Sequence, residues 1–302
     1  MADRAAAAAN GRLVKAAGAA SVTVAITQIA LKLWAWRATD SVALLSSLAD
    51  SLLDLFASVV TLLAVRAALE PPDSEHRFGH GKAEGVAGIA QAVIVALSAL
   101  YVAARAVERL IEPEPLESLD LGVAVMVVAL AITLALVAFQ QLVVRRTGSL
   151  AIQADSVHYR ADLLTGLAVL AALYLNQRFA WQAADPLLAL VIVGIILASV
   201  WKIARQSLDV LLDRELEPAV RRRIREIARA HPEVRGVHDI RTRSSGTHEF
   251  LQFHLELDPR LPLIDAHRIM EEVESELKRS FPSAQVLIHA DPHGVTEPRD
   301  PF

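Results

Sequence analysis

The chain has 302 residues, 54% of them hydrophobic, and its 30 Lys and Arg against 34 Asp and Glu leave a formal charge of -4. That balance offers no electrostatic reason to expect nucleic acid as a partner. With no cysteine, disulfides and thiolate metal sites are excluded, so any bound metal is held by nitrogen and oxygen.

Charge is unevenly distributed: apolar character dominates before about residue 206, and half the charged residues follow it. Residues 1–12 read as a flexible N-terminal segment whose alanine run forms a frayed or short helical extension. They lack the apolar core and cleavage site of a secretory signal. Apolar stretches then recur at 14–37, 42–67, 84–107, 121–144, 151–175 and 183–204. Each is near the roughly 20 residues that cross a hydrocarbon core. Pro71-Pro72, Pro113 with Pro115, and Gly148 interrupt them. Residues 13–206 are therefore expected to form an all-α domain of six transmembrane helices. Six crossings put both termini on one side. Arg4, Arg12, Lys15, Arg77, Lys82, Arg145 and Arg146 make that side cytoplasmic by the positive-inside rule, whereas the third link carries Glu112, Glu114, Glu117 and Asp120.

Beyond residue 206 the pattern shifts to an amphipathic helix at 216–230, strands at 236–243, 249–257 and 284–290, and a helix at 263–280. These elements predict an α+β domain of ferredoxin-like character over 207–293, followed by a flexible tail at 294–302.

Charged residues inside the apolar spans carry the chemistry. Asp50 and Asp54 lie four apart on the second span, and His158 and Asp162 repeat that spacing on the fifth. Residues four apart on a helix point within about 40° of each other, so each pair shares a face. The two spans run in opposite senses, and at about 1.5 Å per residue both pairs fall near the middle of a core about 30 Å thick. One imidazole nitrogen and three carboxylate oxygens suit tetrahedral zinc. Carboxylates at that depth need a partner, and a dication supplies one. Without it, clustered carboxylates take up protons that metal then displaces, so alternating exposure would exchange metal for protons. Interhelical hydrogen bonding or a proton-only relay is the competing reading. Asp155, one turn before His158, either guides ions or makes a supporting hydrogen bond.

These paired D-x-x-x-D and H-x-x-x-D motifs, the six spans and the α+β domain resemble the cation diffusion facilitator family, in its bacterial zinc- and ferrous-iron-exporting branch. The resemblance implies a homodimer in the bacterial inner membrane, working by alternating access on zinc, cadmium or ferrous iron. It makes Asp50, Asp54, His158 and Asp162 the transport site. It also marks the loop residues Asp73, His76 and His80 as a second metal site, and His238, His254, His267, His289 and Asp291 as a cytoplasmic cluster. Strand alternation independently puts His254 on one face with Glu256, and His289 with Asp291. Where some relatives supply a ligand oxygen between the last two, this chain has Ala290. The resemblance further suggests an interchain salt bridge between Lys82 and Asp213. His231, His248 and His293 match no ligand position. A metal-gated channel or a membrane metal sensor is the alternative function; the absence of H-E-x-x-H and of a nucleophile–base pair speaks against an intramembrane hydrolase.

Overall fold

A computed structural model describes residues 2–40, 42–112, 120–179, 181, 183–246 and 248–295. Two compact units divide the chain at Leu208/Asp209.

The first unit is helical: α1 (Ala2–Thr39), α2 (Val42–Ala68), α3 (Ala83–Ile111), α4 (Asp120–Thr147), α5 (Leu150–Phe179) and α6 (Ala184–Leu211). The helix begins at Ala2, so most of the segment expected to be flexible is the first three turns of α1. An alanine run has the highest helix propensity and prolongs a helix that downstream packing has already nucleated. Glu114 and Glu117 of the third link, and residues 296–302 of the tail, lie outside the described residues.

Among the described residues five helices, α1 to α4 and α6, contain stretches long and apolar enough to cross a membrane. The 30-residue α5 is as long, but Asp155, His158, Arg160 and Asp162 interrupt its apolar run. Asp155 and His158 are buried, Arg160 is half-buried and Asp162 is exposed. Small residues let the helices approach. One cluster joins Val14 and Ala17 of α1, Val65 of α2, Ala87 of α3, Val143 of α4, and Ala151 and Ile152 of α5. Another joins α3 and α6 through Val95, Ala99, Val193, Ile196 and Val200, with Ala161 of α5. Outward faces carry large apolar side chains, among them Phe56, Leu63, Leu97, Tyr101, Val191 and Trp201. In water such a surface is costly, and lipid removes that cost.

Gly148 takes a left-handed φ of +68° in the turn between α4 and α5, a conformation that spares glycine the Cβ penalty. The start of α5 is capped from another helix. The buried Glu84 of α3 accepts hydrogen bonds from Ser149 Oγ and the Leu150 N–H, both at 2.8 Å. Helix N-termini expose unpaired N–H groups, and a carboxylate satisfies them.

The second unit contains α7 (Pro218–Arg229), β1 (Gly236–Ser244), β2 (Glu249–Leu257), α8 (Leu263–Ser280) and β3 (Ala284–Pro292). The strands form one sheet in the order β1-β2-β3, with β1 antiparallel and β3 parallel to β2. Leu251, Phe253, Leu255 and Leu257 of β2 pack against Ile224 and Ile227 of α7 and Ile269, Val273 and Leu277 of α8. Alternation leaves the other sheet face to Gln252, His254 and Glu256.

Candidate metal centres

Within the helical unit, Asp54 of α2 and His158 and Asp162 of α5 each offer a ligand atom, and these atoms all lie within 4.8 Å of one another. His158 Nε2 is 3.0 Å from Asp54 Oδ1 and 3.6 Å from Asp162 Oδ2. His158 is buried, and Asp162 is exposed. The exposed Asp50, one turn earlier on α2, stands outside this set. Helical spacing brings its Cα to the right face, but the carboxylate's rotamer decides whether its oxygen reaches the centre.

The surrounding polar side chains fix α5 in rotation about its axis. The Tyr159 hydroxyl donates to the Ser21 carbonyl at 3.1 Å and lies 2.8 Å from Ser58 Oγ, and its ring stands edge-on to His158. Asp155, fully buried, accepts from Ser21 Oγ (2.6 Å), Gln140 Nε2 (2.8 Å) and Gln91 Nε2 (3.2 Å). Of its two anticipated roles, the structure furnishes the hydrogen bonds. Lys32 of α1 donates from Nζ to Ser51 Oγ at 2.7 Å and to the Ser47 carbonyl at 3.1 Å. Sequence reasoning passed over Lys32, Ser21, Gln91 and Gln140, although a lysine amid an apolar span was itself a signal.

The loop between α2 and α3 brings Asp73, His76 and His80 together, again within 4.8 Å. Asp73 Oδ1 lies 3.4 Å from His76 Nδ1, and Oδ2 lies 3.5 Å from His80 Nε2. The backbone N–H of His76 (2.6 Å), and that of Glu75 (2.9 Å), donate to Asp73 Oδ1. These bonds, the one from His76 foremost, hold its carboxyl below the usual carboxylate range.

In the second unit His238, His254 and Asp291 form a third group. Register explains it: His238 pairs with His254 across β1 and β2, and His254 with His289 across β2 and β3. Asp291 Oδ2 lies 2.7 Å from His254 Nδ1 and 3.3 Å from His238 Nε2, while Oδ1 lies 3.1 Å from His289 Nε2. Yet Asp291 Oδ1 is buried without a hydrogen bond. The His289 nitrogen is close but off the hydrogen-bond line. An acceptor left in this state, ringed by imidazoles, fits a cation better than a proton. A bulge after His238, with Asp239 at φ +45°, brings Asp239 Oδ2 to 3.7 Å from His254 Nε2.

His267 is not brought to this cluster. It sits exposed on α8, 3.4 Å from Glu271, and α8 covers the opposite sheet face. Ala290 also points to that face and packs against the helical core, so a side chain there would have to leave the core to reach the group of His238, His254 and Asp291.

Two residues outside the expected set adjoin the cluster. Glu256 lies 2.8 Å from His238 Nδ1 through Oε1, and 2.8 Å from His293 Nδ1 through Oε2. His293, then His238, hold its carboxyl below the ordinary range. Gly236, its partner across the strands, leaves it room: a Cβ there would come within 2.6 Å of the Glu256 carboxyl carbon. His231, expected to be a surface residue, pairs with Glu272 at 2.9 Å. Asp213 pairs within its own unit with Arg243 at 3.3 Å.

Residues 19–212 match the cation efflux transmembrane domain, and residues 216–293 the cytoplasmic domain of cation efflux proteins. The chain is 45% identical over 285 residues to a cation-efflux pump FieF of Klebsiella pneumoniae, covering 94% of this chain and 95% of the relative. It is 43% identical over 290 residues to a pump of the same name from Salmonella arizonae, covering 96% of each. Among solved structures it is similar to the zinc form of a putative zinc transporter, CzrB, at 35% identity over 28% of this chain and 99% of that one, with a TM-score of 0.27. With both domains matched in order along the chain, this protein belongs to the cation efflux family and carries its transmembrane domain followed by its cytoplasmic domain.

Proposed function

We propose that the protein is a homodimeric, proton-coupled antiporter of the bacterial inner membrane that exports divalent transition-metal ions, zinc foremost, with cadmium and ferrous iron as alternatives. Both termini lie in the cytoplasm. The observation that carries this reading is the convergence of Asp54, His158 and Asp162 within an apolar helical domain. A mixed imidazole–carboxylate set favours zinc over harder ions. Asp50 completes the tetrahedron by a rotamer change when the ion arrives. The same carboxylates hold protons when the metal leaves, so each half-cycle carries a compensating charge and the site never crosses the bilayer fully ionised. Alternating access then couples outward metal to inward protons. The loop group and the cytoplasmic cluster bind further ions that order the loop and the sheet face, and Lys82 and Asp213 pair between chains at the membrane surface.

The test is flux into proteoliposomes containing the full chain, with zinc, cadmium and ferrous iron supplied in turn while internal pH is recorded. Zinc uptake accompanied by proton movement in the opposite direction is the expected outcome. Uptake with no proton movement would point to a channel, and metal binding with no uptake to a sensor.

A further inference from the structure

Lys32 lies in α1, within the apolar span, and is half-buried. An ammonium in such a position is expensive unless something there needs its charge. Its Nζ is held against α2 by Ser51 Oγ and the Ser47 carbonyl. Ser51 stands between Asp50 and Asp54 in the sequence of α2, so the ammonium is tethered beside the cargo site. Among the described residues it forms no direct ion pair, and Ser47 and Ser51 each stand three residues before a site aspartate, Asp50 and Asp54, on the same helix face. A protonated lysine has no lone pair to offer a metal, so it acts on the site only through its charge.

We infer that Lys32 is a built-in counter-charge that matches the transport site to a divalent ion. This rests on the reading of Asp50, Asp54, His158 and Asp162 as the cargo site. With a neutral, metal-ligating histidine, the three carboxylates carry three negative charges and Lys32 cancels one. A dication neutralises the remaining two, leaving a loaded site of zero net charge. Neutrality matters in a poorly hydrated span, where an uncompensated charge is costly and an excess negative one would trap the cation. Lys32 therefore weakens binding enough to permit release. The serine hydroxyl and backbone carbonyl that hold it carry no formal charge, so its own charge remains available to the site.

The experiment measures zinc uptake by the full chain in liposomes, comparing wild type, Lys32→Gln and Lys32→Arg. The glutamine keeps a hydrogen-bond donor and removes the charge; the arginine keeps the charge. Lys32→Gln should lower KM about tenfold and lower kcat by a similar factor, as expected when one nearby charge strengthens ground-state binding. Lys32→Arg should stay close to wild type. Lys32→Met keeps the apolar stem, removes the charge and should lower KM as Lys32→Gln does, whereas the Lys32→Arg result is one that a packing role would not produce. The methionine variant also keeps the test decisive if Lys32→Gln alone does not fold. An unchanged or raised KM in the uncharged variants, or a Lys32→Arg that folds and behaves like them rather than like wild type, would overturn the inference while leaving the cargo site standing. Wild-type vesicles that take up no zinc would overturn both.

Discussion

At the scale of single residues, the proposed transport site depends on a few oxygen and nitrogen atoms at fixed distances. Asp54 supplies an oxygen 3.0 Å from His158 Nε2. Its removal leaves two ligands from one helix and none from α2 within the close group. Asp54→Ala should abolish zinc uptake while the purified protein keeps its wild-type size-exclusion profile; normal zinc flux would dismiss Asp54 as a ligand. Replacing His158 by Asp exchanges imidazole for a harder donor and should shift preference from zinc towards manganese, read from competition between the two ions in the flux assay. In the cytoplasmic cluster, His254 is the ring closest to Asp291. His254→Ala should reduce the number of ions bound by the full chain in calorimetry without touching the membrane site, and an unchanged stoichiometry would remove it from the cluster. Asp54, His158 and Asp162 were legible because helical period is a property of the sequence. Lys32 showed in the sequence only as a charge amid an apolar span, and Glu256 only as a neighbour of His254 on one strand face; which groups each meets is decided by other elements.

At the scale of elements, buried carboxylates join helices that are far apart in the chain. Glu84 of α3 caps α5 through Ser149 and Leu150. Glu84→Ala would leave that donor pair buried and unsatisfied, at a cost of about 1–3 kcal/mol. A lower unfolding temperature in detergent is the expected result, and an unchanged one would mean that water or another group replaces the cap. In the second unit the exposed pair of His231 and Glu272 ties the end of α7 to α8. His231 first, and Arg268 with it, hold the Glu272 carboxyl below its ordinary value. A depressed carboxyl stabilises the fold above the unfolded-state value, and that contribution disappears as pH falls through the lowered one. An NMR titration should therefore place the Glu272 midpoint below that of a free glutamate, and His231→Ala should move it back up. The helix and strand positions of this unit followed from period alone. The bulge at Asp239 did not, because an inserted residue shows only once β1 meets β2.

For the molecule as a whole, family membership establishes a membrane metal-efflux protein with a helical transmembrane domain and a cytoplasmic α+β domain. If the cytoplasmic cluster holds metal as proposed, chelation should lower the melting temperature of the second unit and zinc should restore it, since a ligand that binds only the folded state stabilises it by mass action. Circular dichroism of its α/β signal at matched protein concentration would show the effect, and identical melting with and without chelator would argue for an empty sheet face. The sequence alone determined which segments are apolar and which polar residues share a helix or strand face. These are consequences of local covalent geometry and of the one-dimensional order of side chains. Tertiary structure alone decided which faces meet: three of the four anticipated ligands converge and Asp50 stands apart, His267 and Ala290 fall away from the sheet face that carries His254 and Asp291, and Lys32 comes to rest on α2. Distances between elements depend on packing and rotamers throughout the fold, and no local period encodes them.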